Sequence, residues 1–212
     1  MVMELLVFLS KAIRMLYSLF FSKFAYMNND IANSGAFSGN VIVVDADYVD
    51  KVAFDLIVNF ERMIGRRIPP ADMARWIDCV ALDGGVREGA NETHVVLIHD
   101  KKNGKMDNFA PSDYASELNG KAFKDNLGEF ALSSYPVESL VGKEDFFAEV
   151  LDAVCRRKEV KRLMVVPDDG RMYDAVRQAL CFAGDDKRIT VFAMQPMPGG
   201  NFRQEILGYS PV

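Results

Sequence analysis

The stretch VIVVDADYVD, residues 41–50, decides the reading of this chain. Its first four residues are apolar and β-branched, the composition of a short strand buried on both faces. Asp45, Asp47 and Asp50 follow with no Lys or Arg among them, and helical periodicity starts at Tyr48. Val49, Val52, Leu56, Phe60 and Met63 fall on one helical stripe. A buried strand that runs straight into a helix opens an α/β unit. Carboxylates at such a junction cap the helix, hold a metal ion or attack a phosphate.

The alternation continues outward. RRIPP (66–70) ends the first helix, and Pro70 opens the next, ADMARWIDCVAL (71–82), which closes at the DGG of residues 83–85. THVVLIHD (93–100) reads as the second strand, SDYASEL (112–118) as a short helix and EFALSSY (129–135) as the third strand. GKEDFFAEVLDAVCRRK (142–158) is a helix with Phe146, Val150 and Val154 on one face, followed by a fourth strand, RLMVVPDD (162–169). RMYDAVRQALCFAG (171–184) is a helix ended by Gly184, and RITVFAM (188–194) is the fifth strand. Strands separated by helices predict an α/β fold, a three-layer α/β/α sandwich around a mostly parallel five-stranded sheet.

At 212 residues the chain has the length of one domain, expected over 31–212, with residues 1–30 as an extension. Apolar residues make up 50% and charged ones 26%, which places it among soluble globular proteins. The net charge of −5 gives no global pull toward nucleic acid, so any such binding needs a local basic patch. Cys79, Cys155 and Cys181 show neither metal-ligand spacing nor a disulfide framework, and a reducing cytoplasm is the simplest compartment. Residues 1–26 are apolar but interrupted by Lys11 and Arg14, and no run reaches the ~18 residues of a spanning helix. An interfacial membrane contact through residues 1–26, a docking helix, and sequence upstream of a start at Met27 all stay open. No Ser-His-Asp set, P-loop or dinucleotide fingerprint is present.

Ligands of an open parallel sheet bind beyond the carboxyl ends of its strands. Asp45 and Asp47 end the first strand, Asp100 the second, and Asp168 and Asp169 the fourth; Asp145 lies near the start of the helix feeding the fourth. With strands one and four as neighbours, ~4.8 Å apart, Asp45 and Asp168 converge. Converging carboxylates require a counter-charge. Mg²⁺ or Mn²⁺ supplies one, Mg²⁺ with one or two carboxylates plus water and substrate phosphate, and such an ion promotes phosphodiester cleavage. Capping and the helix dipole favour the same acids one by one, and remain the competing explanation. Lys101, Lys102 and Lys105 follow strand two on this edge, suited to a phosphate backbone or to a solvated turn around Asn103-Gly104.

In VVDADY, and in the order KEDFFAEVLDAVCRRKEVKRLMVVPDDGRMYDAVRQALCFAG…RITVFAM, residues 41–195 resemble the PIN-like nucleases, in particular the NYN group. The resemblance implies a metal-dependent ribonuclease acting on single-stranded RNA, with strands one and four adjacent. It assigns Asp45 and Asp168 as catalytic, metal-binding acids, Asp145 or Glu149 as the helix acid, and Asp169 as a substitute. Asp47, at the end of the first strand, is a further candidate metal ligand. The chain departs from the pattern at Pro167, and at Gly170 or Met172 where a second acid would fall. A degenerate, non-catalytic nucleic-acid or protein-binding module is therefore the alternative, and a homodimer stays open. VVDADYV and DDGRMYD also resemble the haloacid dehalogenase-like phosphatases, which implies Asp45 as nucleophile, Asp47 as general acid/base, and Asp169 and Asp174 as late acids. Those enzymes follow the motif with a Gly-containing loop and flap, where here a helix is expected.

Overall fold

The central strand, β1 (Asn40–Asp45), has other strands hydrogen-bonded along both of its edges, and its two apolar faces are buried. A computed structural model describes residues 38–138, 142–181, 183–184 and 186–207. Residues 1–30, and with them the expected extension and its membrane contact, lie outside the described residues. Among the described residues no helix is long and apolar enough to cross a membrane.

Asp45 ends β1 and caps α1 (Ala46–Ile64), its carboxylate accepting the Tyr48 amide at 3.2 Å. Gly65, at φ 69°, closes the helix with its N–H on the Glu61 carbonyl. Val49, Val52 and Leu56 are buried as their periodicity requires, whereas Met63 is 78% exposed and leaves the expected stripe. Ile64, 47% exposed, also lies outside the core, so the last turn of α1 is not covered. Two-residue β2 (Ala71–Asp72) leads into α2 (Met73–Asp83), which is opened by the Asp72 cap rather than by Pro70.

β3 (Asn91–Asp100) pairs in parallel with β1. A loop then carries β4 (Phe109–Ala110), which pairs with β2, and a π-helical turn over Tyr114–Leu118, where an ordinary helix was expected. β5 (Ala122–Asp125) and β6 (Gly128–Val137) form an antiparallel hairpin. Gly128 sits at φ 130°, and a Cβ there would overlap the backbone of Asn91. α3 (Lys143–Cys155), β7 (Arg162–Val166), α4 (Tyr173–Leu180), β8 (Arg188–Ala193) and β9 (Arg203–Ile206) complete the order.

The main sheet runs β5-β6-β3-β1-β7-β8-β9, with every pair parallel except β5/β6. All five expected strands are present, and β5 and β9 extend the sheet to seven. Ile42, Val44, Val95, Leu97, Met164 and Val166 face a core shared with α1 and α2. Val41, Val43, Val96, Ile98, Leu163 and Val165 point the other way, where α3 and α4 pack together and α3 meets β1 and β3. The chain is thus an α/β protein with helices on both faces of a mostly parallel sheet.

Two expected boundaries are corrected. The fourth strand stops at Val166, because Pro167 has no N–H to continue the ladder, so Asp168 and Asp169 lie on the loop beyond it. The following helix is Tyr173–Leu180 rather than 171–184, since Arg171 and Met172 belong to a turn, their amides both on the Asp168 carbonyl, while the Gly170 amide meets the Asp168 carboxylate.

Candidate functional site

β1 lies between β3 and β7, the strands reached in opposite directions from it, so its carboxyl end is the topological switch point of the sheet. Val44 is opposite Val166 in the register, which places the loop with Asp168 and Asp169 beside Asp45. On the other flank Asp45 is opposite Ile98, two residues before Asp100.

Asp45 is fully buried. The Lys143 ammonium, from the first turn of α3, donates to its Oδ1 at 2.6 Å and to Asp47 Oδ2 at 2.9 Å. Asp45 Oδ2 is buried and has no hydrogen-bond partner among the described residues. Burial pushes the Asp45 pKa up, against the pull of the Lys143 charge and hydrogen bond. For Lys143 burial works downward, but the charge and hydrogen bond of Asp45 and those of Asp47 outweigh it and hold the ammonium charged.

Asp47 is engaged on every side. Oδ2 accepts the Asp100 amide at 2.8 Å as well as Lys143, and Oδ1 accepts the Asn103 side-chain amide at 2.7 Å. Burial would raise its pKa, yet the hydrogen bonds from Asn103 and Lys143, the Lys143 charge and the Asp100 amide together lower it. Asp50 acts similarly one turn on, accepting the amides of Asp107 and Asn108. The three acids of the opening stretch thus divide their work. Asp45 caps α1 and faces Lys143, while Asp47 and Asp50 fasten the loop after β3 onto α1.

Asp169 is held by both flanks of the site. Its Oδ1 accepts the Tyr48 hydroxyl at 2.9 Å, and its Oδ2 accepts the Met194 amide at 2.8 Å. Burial raises the Tyr48 pKa, and the charges of Asp169, Asp168 and Asp45 around the phenol raise it further, so Tyr48 is a neutral donor. Asp168 is 21% exposed; its Oδ1 accepts the Gly170 amide and its Oδ2 lies 4.0 Å from Arg171. Asp45, Asp168 and Asp169 therefore surround Tyr48.

The other predicted residues are placed differently. Asp145 is exposed and lies against Gly142 at the start of its own helix. Burial, with the charges of Asp145 and Asp152, raises the Glu149 pKa, so these acids share the outer surface of α3. The side chain that α3 delivers to the site is Lys143. Lys101 pairs with Glu138 at 2.7 Å, Lys105 lies 3.6 Å from Asp107, and Lys102 is exposed, so all three sit on the outer rim. His99 is buried and stacked on Tyr114 with ring centroids 3.7 Å apart, donating from Nδ1 to the Asp100 carbonyl. Its pKa is lowered by burial. The helix begins at Ala46, leaving no loop or flap after the Asp45–Asp47 motif.

Lys143 was not singled out from sequence, although a signal exists. A lysine in the first turn of a helix opposes the macrodipole, whose positive end favours acids there. Its presence in GKEDFF calls for a carboxylate from another element.

Among the described residues no group of three or more His, Cys, Asp or Glu side chains is arranged to hold an ion. The site therefore does not offer an all-protein cage. It does fit the sparser Mg²⁺ arrangement of one or two carboxylates completed by water and substrate phosphate. The carboxylate oxygens there with room for such an ion are the unpartnered Oδ2 of Asp45 and those of the partly exposed Asp168.

Residues 34–212 match a protein family described as a family of unknown function (DUF6621). No curated protein and no solved structure matches the chain.

Proposed function

We propose a function for a chain that belongs to DUF6621, the family of unknown function matched over residues 34–212: it is a divalent-cation-dependent ribonuclease of PIN-like type, with its site at the carboxyl end of β1. The observation that carries the reading is the orphaned Oδ2 of fully buried Asp45, at the switch point and beside the loop bearing Asp168. An unpartnered buried carboxylate oxygen is costly unless something charged meets it.

Asp45 and Asp168 would hold the cation. When bound there, Mg²⁺ or Mn²⁺ neutralises phosphate charge and lowers the pKa of an attacking water. Lys143 fixes the Asp45 and Asp47 carboxylates with two of its three N–H donors, and the third would be left for a substrate phosphate. Asp169, fixed by Tyr48 and the Met194 amide, sets the position of the loop that carries Asp168.

A second reading has its own support. Lys143 already neutralises part of the charge on Asp45 and Asp47, as it would in a degenerate member that binds nucleic acid without turnover. The phosphatase reading is weakened by the engagement of Asp47 with three donors, which leaves no free general acid/base. Incubating the full chain with single-stranded RNA and Mn²⁺ separates these readings. The ribonuclease produces internal cleavage that EDTA stops and Asp168→Asn lowers at least ~100-fold, in line with the loss of a charge-stabilising group. Intact RNA that is nevertheless retained by the protein favours the binding module. Hydrolysis of p-nitrophenyl phosphate with a beryllofluoride adduct on Asp45 would establish the phosphatase instead.

A further inference from the structure

A groove of about 680 Å³ runs along α1, starting where the acidic site ends. Its volume lies within the ~300–1,000 Å³ of small-ligand sites. Tyr48 and Met194 line its first part, and the same two residues hold Asp169, so groove and site share a wall. Leu56 and Phe60 form an apolar floor, and Met63, 78% exposed, continues it to the far end.

The charge at that far end is of the opposite sign to the site. Arg62, Arg66 and Arg67 are exposed together at the turn that closes α1, around Gly65. Lys51 lines the groove itself, and Arg62, about three helical turns further along the same side of α1, lines the neighbouring depression at the helix end. Asp55 is an acid among the lining residues, and Glu61 faces Arg67 at 3.7 Å while accepting the Ile68 amide. The groove's own lining is neutral, Lys51 against Asp55, and the basic excess lies at the helix end, where three arginines stand against Glu61. From Tyr48 to Arg62 the helix advances about 21 Å, at ~1.5 Å per residue.

An apolar floor with an aromatic ring, leading to a cluster of arginines, matches the chemistry of single-stranded nucleic acid. Bases stack on aromatic and apolar surface while the backbone follows the cations. An apolar peptide would leave Arg62 and Arg66 at the helix end without an anionic partner from the ligand. We infer that the groove along α1 is the path of single-stranded RNA, leading from the acidic edge to the arginine turn. The inference rests on the ribonuclease reading, which puts the scissile phosphate at Asp45 and Asp168.

The test is fluorescence anisotropy with the full chain and a labelled single-stranded RNA of ~10 nucleotides, within the usual site sizes for such binders. Arg62→Ala, Arg66→Ala and Arg67→Ala together should weaken binding at least ~10-fold and reduce the salt slope by about 2, since each lost phosphate contact removes ~0.7. Met63→Glu, on an exposed side chain that the fold does not need, should also weaken binding. Circular dichroism melts confirm that both variants fold. Unchanged affinity and slope in the triple variant, or no RNA binding by the wild-type chain, would overturn the inference. So would a concentration-dependent dimer that Met63→Glu dissolves while RNA binding stays intact, because the groove would then belong to a second copy. RNA bound through the arginines but never cleaved leaves the groove assignment standing and removes the ribonuclease reading.

Discussion

Lys143→Met is expected to destabilise the fold by about 3 kcal/mol at pH 7, at the lower end of the 3–5 kcal/mol that follows removal of one partner from a buried ion pair. The lower end applies because Lys143 keeps 24% of its side chain exposed, whereas Asp45 has none. Methionine preserves most of the volume, so the loss is electrostatic. Asp45 then stays buried without its counter-charge, and burial raises its pKa further than in the wild type. A group whose folded pKa lies above its unfolded value contributes stability in acid and loses it as pH rises through the folded pKa. The deficit of the variant should therefore be largest at neutral and alkaline pH and shrink toward the ordinary carboxylate range. Urea melts of both proteins between pH 4.5 and 8 would show this. A deficit that does not change with pH would mean that Lys143 acts by packing alone.

The second large effect concerns Asp47. Asp47→Ala removes the acceptor for the Asp100 amide, the Asn103 side chain and one of the two carboxylates facing Lys143. Hydrogen bonds to charged groups contribute ~1.5–3 kcal/mol each, and loss of the half-buried Asp100 N–H partner adds a desolvation penalty. Asparagine and lysine can turn to water, so about 2–3 kcal/mol is expected at pH 7. The sign of the pH dependence is opposite to that of Lys143→Met. Asp47 has a lowered folded pKa, so its contribution is present above the ordinary carboxylate value and is lost as pH falls through the folded one. Hydrogen exchange supplies the local readout. The Asp100 amide and the loop to Asn108 should lose protection while the β1–β7 ladder keeps it, and uniform loss across the sheet would refute an anchoring role for Asp47.

These effects trace back to ten residues whose architecture was largely legible. The apolar, β-branched run 41–44 and the stripe from Val49 to Leu56 are signals of burial, and burial follows from composition. The adjacency of β1 and β7 was expected as well, and with it the placement of Asp45 beside the Asp168 loop. β5 and β9 were missed because their signals are weak. AFKD is four residues long and only partly buried, and β9 sits in a tail whose Pro and Gly residues read as irregular. The turn DNLG, residues 125–128, was the available sign of the hairpin.

The chemistry of the site was less legible, and for a physical reason. Side chains from different elements meet according to register and helix rotation, which a linear reading does not give. Asp145 was expected from α3, but the rotation of that helix presents Lys143, two residues earlier, to Asp45. Asp47 and Asp169 were read as ligands, yet their oxygens are taken by amides and hydroxyls of distant segments. Asp78 and Asp125 were not considered at all. They lie on α2 and β5, and each has a buried carboxylate oxygen without a hydrogen-bond partner among the described residues. Burial, together with the hydrogen bond and charge of Asp125, raises the Asp78 pKa to about 7.

The central claim is that Asp45 and Asp168 together hold a divalent cation, and thermal melts of the full chain with and without Mn²⁺ test it most directly. At a hundred times its dissociation constant, Mn²⁺ should stabilise the wild type by about 2.7 kcal/mol, and both Asp45→Asn and Asp168→Asn should abolish that gain. A wild-type melt that Mn²⁺ leaves unmoved, or a gain that survives both substitutions, would contradict the account.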